Sequence, residues 1–189
     1  MSNNKRNMKW LLGRMLIEIW VIYEWIVSLI PGILGIFVRK LMIAPFLSYS
    51  GKRASIMWTV KIPELVHIWK PWNVVVGQNV RFGKYSQINA EGRIMIGNNV
   101  MMGPYVMLTT VTHSFEQNEI PMNRQKSTVD TIEIGDDVWL GGHVSILPGV
   151  KIKDGIVVGA GAVVSEPLNE PFSVYVGVPA RLKFRRRKS

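Results

Sequence analysis

In three stretches between Val76 and Val164 apolar residues return at every sixth position. In the clearest stretch they are Ile134, Leu140, Ile146, Ile152, Val158 and Val164, and Gly135, Gly141, Lys153 and Gly159 follow four of them directly. A second aliphatic set sits four residues further on, at Val138, Val144, Val150, Ile156 and Ala162. A period of six is neither the helical 3.6 nor the strand's 2, so it marks a repeat architecture. The register holds at Val76-Gly77, Phe82-Gly83 and Ile88-Asn89, and, after two extra residues, at Ile96-Gly97, Met102-Gly103 and Leu108-Thr109. Ser114 to Glu133 breaks it with polar residues and reads as a loop thrown out from the repeat. Each hexad supplies one short strand and a corner, three hexads close a triangular coil, and coils must stack because one cannot bury its own core. The pattern predicts a mainly β protein, a parallel β-helix. Ser55 to Val76 is strand-like and reads as a first, imperfect coil; Ser173–Val178 reads as a last strand.

The first part of the chain follows another pattern. Met8 to Leu47 is rich in Trp, Ile and Leu and helical in preference up to Pro31-Gly32, which breaks the run. Arg14, Glu18, Glu24 and Ser28 fall on one arc of the helical wheel, and Trp20, Ile22, Tyr23, Ile26, Val27 and Ile30 fill the rest. Charge within the run disfavours a simple membrane span. Two readings follow: an interfacial or re-entrant helical hairpin that turns at Pro31-Gly32 with its basic flanks on one side of the membrane, or a soluble helix packed on the protein body or on a neighbouring subunit. The wide apolar arc favours membrane association. No cleavage site of the signal-peptide kind follows the apolar run.

Charge sharpens this picture. The chain of 189 residues carries a net charge of +10 and fits one domain with an appendage. Lys5, Arg6, Lys9 and Arg14 cluster at the start, Arg39, Lys40, Lys52 and Arg53 follow the apolar run, and Arg181 to Lys188 fill the end. An anionic lipid surface or a phosphorylated cofactor suits that distribution; no nucleic-acid module accompanies it. The absence of cysteine excludes disulfides, thiolate metal sites and a cysteine nucleophile.

Several motifs within the repeat carry a resemblance. LTTVTHSF (108–115), IEIGDDVWLGGHVSILPGVKI (132–152), VVGAGAVV (157–164) and VGVPARL (176–182) resemble the hexapeptide-repeat acyltransferases, in particular the galactoside and maltose acetyltransferase branch and the O-acetyltransferases of surface polysaccharides. The resemblance implies a left-handed coil, against the usual right-handed crossover. It also implies acetyl-CoA as cosubstrate, a saccharide acceptor and a homotrimer with active sites between subunits.

Moving an acetyl group from a thioester to an alcohol needs a base, donors for the oxyanion and a groove for the cosubstrate. A histidine suits the first task. His113 stands where the coil gives way to the loop, and the resemblance makes it the catalytic base. His143 reads as packing or lining the cofactor groove, and His67 as structural. The resemblance places the Gly142 amide against the thioester carbonyl, with Gly141 beside it, though both also read as corner glycines. By the same resemblance Trp139 flanks the acyl arm, and Gly159 and Ala160 line it through their backbones. A hydroxyl residue followed by lysine often serves the adenosine end; here Ser165 precedes Glu166, which leaves Arg181 and Lys183 as phosphate candidates. Tyr85, Gln87 and Asn89 align with acceptor-binding positions, and residues 114–129 read as a cover for the acceptor.

The expected organisation is an apolar helical, membrane-associated segment over 1–54, a left-handed β-helix over 55–180 with the loop 114–133, and a basic tail over 181–189. The expected activity is an acetyl-CoA-dependent O-acetyltransferase acting on a lipid-linked or surface polysaccharide precursor, without metal or nucleic acid. Its expected place is the cytoplasmic face of the cell membrane, with contact through residues 8–47. The alternatives are an N-acetyltransferase of a nucleotide-linked amino sugar and a non-catalytic membrane-associated scaffold. A β-helical zinc enzyme needs histidines at metal spacing, which His67, His113 and His143 do not provide.

Overall fold

The computed structural model describes residues 2–187, with side chains from Arg14 onward apart from those of Arg53 and Ala54. Lys188 and the side chains of Lys5, Arg6 and Lys9 therefore lie outside the described residues.

Short strands form three five-stranded sheets, each a side of the coil. The first orders β1 (Ser48–Tyr49), β3 (Val74–Val76), β5 (Ile94–Ile96), β10 (Ile132–Ile134) and β13 (Lys151–Ile152). The second holds β6 (Met101–Met102), β11 (Trp139–Leu140), β14 (Val157–Val158), β16 (Ser173–Val176) and β17 (Arg181–Arg185). The third holds β2 (His67–Trp69), β4 (Gln87–Asn89), β7 (Met107–Thr109), β12 (Ser145–Ile146) and β15 (Val163–Val164). Pairing is parallel throughout these sheets except between β16 and β17. A separate antiparallel hairpin joins β8 (Val111–His113) to β9 (Ser127–Val129).

The repeat explains the stack. Val76, Ile96, Ile134 and Ile152 point inward in one column, Ile88, Leu108, Ile146 and Val164 in another, and all are buried. The second aliphatic set supplies a corner column of Val80, Val100, Val138 and Ile156, also buried. Burying one such side chain stabilises by about 1.5–3 kcal/mol, so the columns outweigh any local strand preference. Corner residues Asn79, Asn99 and Asp137 take φ between 55 and 58°, a region Asn and Asp tolerate. Beside them, Asn98, Asp136 and Asp154 each accept a backbone N–H from the coil below, at 2.6–2.8 Å.

Register shows where the period is edited. His67 faces Gln87 and Gln87 faces Met107, so the lower coils take 20 residues. Trp139 faces Val157, so the upper coils take 18. Asn98 bonds Asp136 across a coil of 38 residues that contains the hairpin. The hexads resume at Ile132, inside the loop the sequence assigned to 114–133.

The chain before the coil forms α1 (Ser2–Ser28), α2 (Gly32–Met42) and α3 (Arg53–Met57). Residues 55–57 are thus helical, not part of a first coil, which starts at the Lys61–Arg81 bridge, while β1 adds a strand from within the expected helical segment. The expected polar arc of α1 splits. Arg14 and Glu18 stay exposed, whereas Glu24 (5% exposed) and Ser28 (0%) turn inward with Trp20 and Val27. The reason is the lowest strand of the third sheet, whose Ile68 has no coil beneath it: Trp20 Nε1 donates to Ile68 O at 2.9 Å, and Ile68 N donates to the Glu24 carboxyl. Two side chains one turn apart thus take the place of a missing strand.

Arg39 corrects a second expectation. It is fully buried and unavailable to an anionic partner. Its guanidinium donates to Ile62 O at 2.9 Å and to Ile30 O at 2.7 Å and lies 3.7 Å from Glu64, so it ties the end of α1 and α2 to the first coil. At the other terminus, residues 181–185 are the strand β17 rather than a free tail. Among the described residues, no helix is long and apolar enough to cross a membrane.

Burial raises the Glu24 carboxyl from 4.5 to about 8, against the opposing pull of the Ile68 N–H. The unfolded chain releases this proton from about pH 4.5 upward while the folded chain keeps it, so stability falls as pH rises through the window from 4.5 to about 8. Denaturant midpoints at pH 5 and pH 8 should therefore differ by more in the wild type than in Glu24→Gln, which keeps an acceptor for Ile68 and cannot ionise.

Candidate active site

His113 ends β8, just beyond the third sheet. The chain leaves the coil at Thr110 and returns at Asp130, and Asp130 N donates to Thr110 O at 2.8 Å. Thr110 is buried; its hydroxyl donates to Asn89 O and accepts the Gly92 N–H. The hairpin therefore grows from a fixed base. Across it His113 pairs with Ser127, whose Oγ lies 3.0 Å from His113 Nδ1. With the ring proton on Nδ1 and donated to Ser127 Oγ, the free lone pair is on Nε2, which is the form a general base needs. Ser127 is a residue the sequence reading missed: it lies fourteen positions away in a polar stretch, and only the hairpin register brings it to His113.

Against the hairpin lies a cleft of about 670 Å³. Gln87 and Asn89 project into it from β4, Ser127 and Val129 from β9, and His67 and Trp69 from β2. Two of the three acceptor candidates thus share one cavity with the partner of His113. His67, read from sequence as structural, is part of this wall, with Nδ1 3.8 Å from the Glu24 carboxyl. Glu91 also lines the cleft; hydrogen bonds from Lys70 and from Trp69 hold its carboxyl below the usual carboxylate range.

Tyr85 lies elsewhere. It occupies the corner between the second and third sheets, stacked on Tyr105 at 4.9 Å, and Tyr105 stacks on His143 at 4.7 Å, both pairs 9° from parallel. These three residues hold the same left-handed corner in successive coils. The same corner explains the glycines. A Cβ on Gly83 would sit 1.7 Å from Gly103 O, one on Gly103 2.6 Å from Gly142 N, and one on Gly141 2.6 Å from Ala160 N. Those three glycines are required by stacking. Gly142 is not: a Cβ there would meet Pro104 at 3.4 Å, ordinary contact. Its N–H has no backbone acceptor among the described residues. A donor left unpaired beside a bare Cα suits an oxyanion.

Trp139 is half exposed in the second sheet, between Met101 and Val157. Gly159 packs under Val176, and Ala160 stacks on Gly141. Ser165 is exposed. Of the cationic candidates, Arg181 is engaged by Glu166 at 3.3 Å, whereas Lys183 makes no ion pair among the described residues. Arg185 and Arg186 are likewise committed, to Glu170 and Asp137. Among the described residues, no hydrogen bond or ring contact joins His113 to Gly142 or Trp139 within one chain.

Comparisons with known proteins bear on the repeat and its fold. Residues 131–166 match the family described as bacterial transferase hexapeptide (six repeats). The galactoside O-acetyltransferase of Escherichia coli K12 is 36% identical over 112 residues, 56% of this chain and 54% of that protein. The crystal structure of a maltose O-acetyltransferase from Clostridium difficile 630 superposes with a TM-score of 0.76 at 24% identity, over 92% of this chain and 88% of that one. A hexapeptide-repeat acetyltransferase from Vibrio cholerae, solved with acetyl-CoA, gives a TM-score of 0.62 at 24% identity, over 79% and 77% of the two chains. The matches cover about half the length of the first curated relatives. The resemblance to hexapeptide-repeat acyltransferases is borne out, and the shared fold implies the left-handed coil.

The two kinds of glycine should separate in stability. Gly83→Ala should lose roughly 1–3 kcal/mol or more through overpacking, while Gly142→Ala should stay within about 1 kcal/mol of wild type, measured by thermal or denaturant unfolding.

Proposed function

We propose that this hexapeptide-repeat protein is an acetyl-CoA-dependent O-acetyltransferase that acts on a saccharide hydroxyl. The observation that carries the reading is His113, held by Ser127 on a hairpin that leaves the coil beside a cleft lined by Gln87 and Asn89. The acceptor hydroxyl, bound by the side chains of Gln87 and Asn89, gives its proton to His113 Nε2 as its oxygen attacks the thioester carbonyl. The Gly142 N–H stabilises the resulting oxyanion. Collapse re-forms the carbonyl, breaks the C–S bond and returns the proton from His113 to the departing thiol. A positioned base of this kind contributes roughly 10²–10⁴ in rate.

Trp139, Gly141, Gly159 and Ala160 line the path of the acyl arm, and Lys183 is the phosphate contact left once Arg181 is paired. The resemblance to the hexapeptide-repeat acyltransferases supports a homotrimer whose sites lie between subunits. The exposed apolar surfaces within residues 8–47 support contact with a membrane, hence a lipid-linked or surface polysaccharide precursor as acceptor and a peripheral place on the cytoplasmic side.

His113→Ala should lower kcat by roughly 10²–10⁴ with the native mass unchanged, and undiminished turnover would sink the base assignment. Gly142→Pro removes the proposed donor at a corner that Pro104 already occupies one coil below. It should fold and lose on the order of 10²–10³ in kcat. Mild alkali should strip the product's acetyl group, since an ester hydrolyses there and an amide does not.

A further inference from the structure

The isolated bridges Lys61–Arg81 and Arg81–Met101 extend the second sheet downward, toward α2. They place two cations on adjacent rungs of one outward column, separated by the strand spacing of about 4.8 Å. Both are exposed, and neither makes an ion pair among the described residues. Nearby Glu64 answers Lys84 and the buried Arg39 instead, and the Lys84 ion pair is what draws its carboxyl down. Lys61, Arg81 and Lys84 line a groove of about 500 Å³ whose other walls include Ile36 of α2, Met102 and Pro104. Like charges stacked in register repel each other, so this arrangement costs stability until an anion lies between them.

The helices beside this groove present an apolar surface to the outside. On α2, Ile33 is 87% exposed and Phe37 52%; on α1, Leu16 is 64% and Ile22 62% exposed. Glu24, the acid that a lone amphipathic helix would turn to water, is spent on Ile68. The exposed faces are thereby cleared of one of their charges. Ile36 belongs to the groove and its neighbours Ile33 and Phe37 to the apolar face, so cationic and apolar surfaces are continuous.

We propose that this groove binds the phosphate of an anionic lipid headgroup through Lys61 and Arg81, with the exposed apolar residues of α1 and α2 seated in the same bilayer surface. This deepens the reading of the protein as a membrane-proximal acetyltransferase, on which it rests. A lipid surface supplies both the anion and the apolar layer.

The test is co-sedimentation of the full-length protein with phosphatidylcholine vesicles, with and without phosphatidylglycerol. Binding should require phosphatidylglycerol and weaken with added salt. The double variant Lys61→Gln, Arg81→Gln should bind on the order of 30-fold more weakly, from about fivefold per cation. Ile33→Ser with Phe37→Ser should also reduce binding, and the thermal midpoint of each variant reports whether it folds. Equal binding to neutral vesicles, or binding unaffected by the charge variants, overturns the phosphate site. So does a folded variant pair that changes the oligomeric mass rather than vesicle binding, because the face is then a subunit contact. Stabilisation of the wild type by inorganic phosphate, lost in the charge variant and unaccompanied by vesicle binding, reassigns the groove to a soluble anion. Turnover on a soluble saccharide is read separately: a wild type that turns over and binds no vesicles removes this inference alone, and a wild type that binds vesicles without turnover removes the acetyltransferase reading alone.

Discussion

A coil in this protein has no sheet of its own. Its N–H and C=O groups are taken by the coil above and the coil below, as when Gln87 N donates to Val106 O and Met107 N to Val144 O. That dependence sets the aliphatic columns, since only in-register stacking brings like residue over like. It also creates two ends where groups have no next coil, and an open strand edge invites pairing with another chain. Much of the chain outside the repeat answers those ends. At the lower one, Trp20, Glu24 and Arg39 supply side-chain partners for Ile68 and Ile62. At the upper one, Ala180 N donates to Val163 O, Val163 N to Gly177 O, and β17 turns back antiparallel on β16.

The same constraint decides where chemistry can be placed. A position within the stack is committed to its neighbours, as Gly83 and Gly103 show. Freedom exists where the stack is interrupted or where a corner leaves a group unpaired. His113 lies on a hairpin that departs from the coil, and the Gly142 N–H lies at a corner. Neither breaks the ladder, so a site can be built from them at little cost to the core.

The helical segment shows burial overruling amphipathic logic. On the wheel, Glu24 and Ser28 belong with Arg14 and Glu18 and should face water. Capping the lower coil draws Glu24 inward, where desolvation favours its neutral form, and leaves Leu16 and Ile22 of the same helix outside. The uncovered surface is the consequence of meeting a backbone requirement first.

Residue order by itself determined the coil. The six-residue period, the two extra residues before Ile96 and the interruption after His113 are local patterns, and each maps onto a strand, a longer coil or the hairpin. The candidacies of His113 and Gly142 rest on the resemblance carried by the motifs around them, LTTVTHSF and DDVWLGGH. Other features depend on which coil lies beneath which, and one-dimensional spacing does not carry that. Ser127 reaches His113 only through hairpin register, and Tyr85 leaves the Gln87–Asn89 cleft because a corner turns it toward Tyr105. Arg39 and Glu24 read as surface charges until the end of the stack required them. Tertiary structure decided these points because an unpaired backbone group at a coil's edge is a property of the assembled stack, and no single hexad contains it.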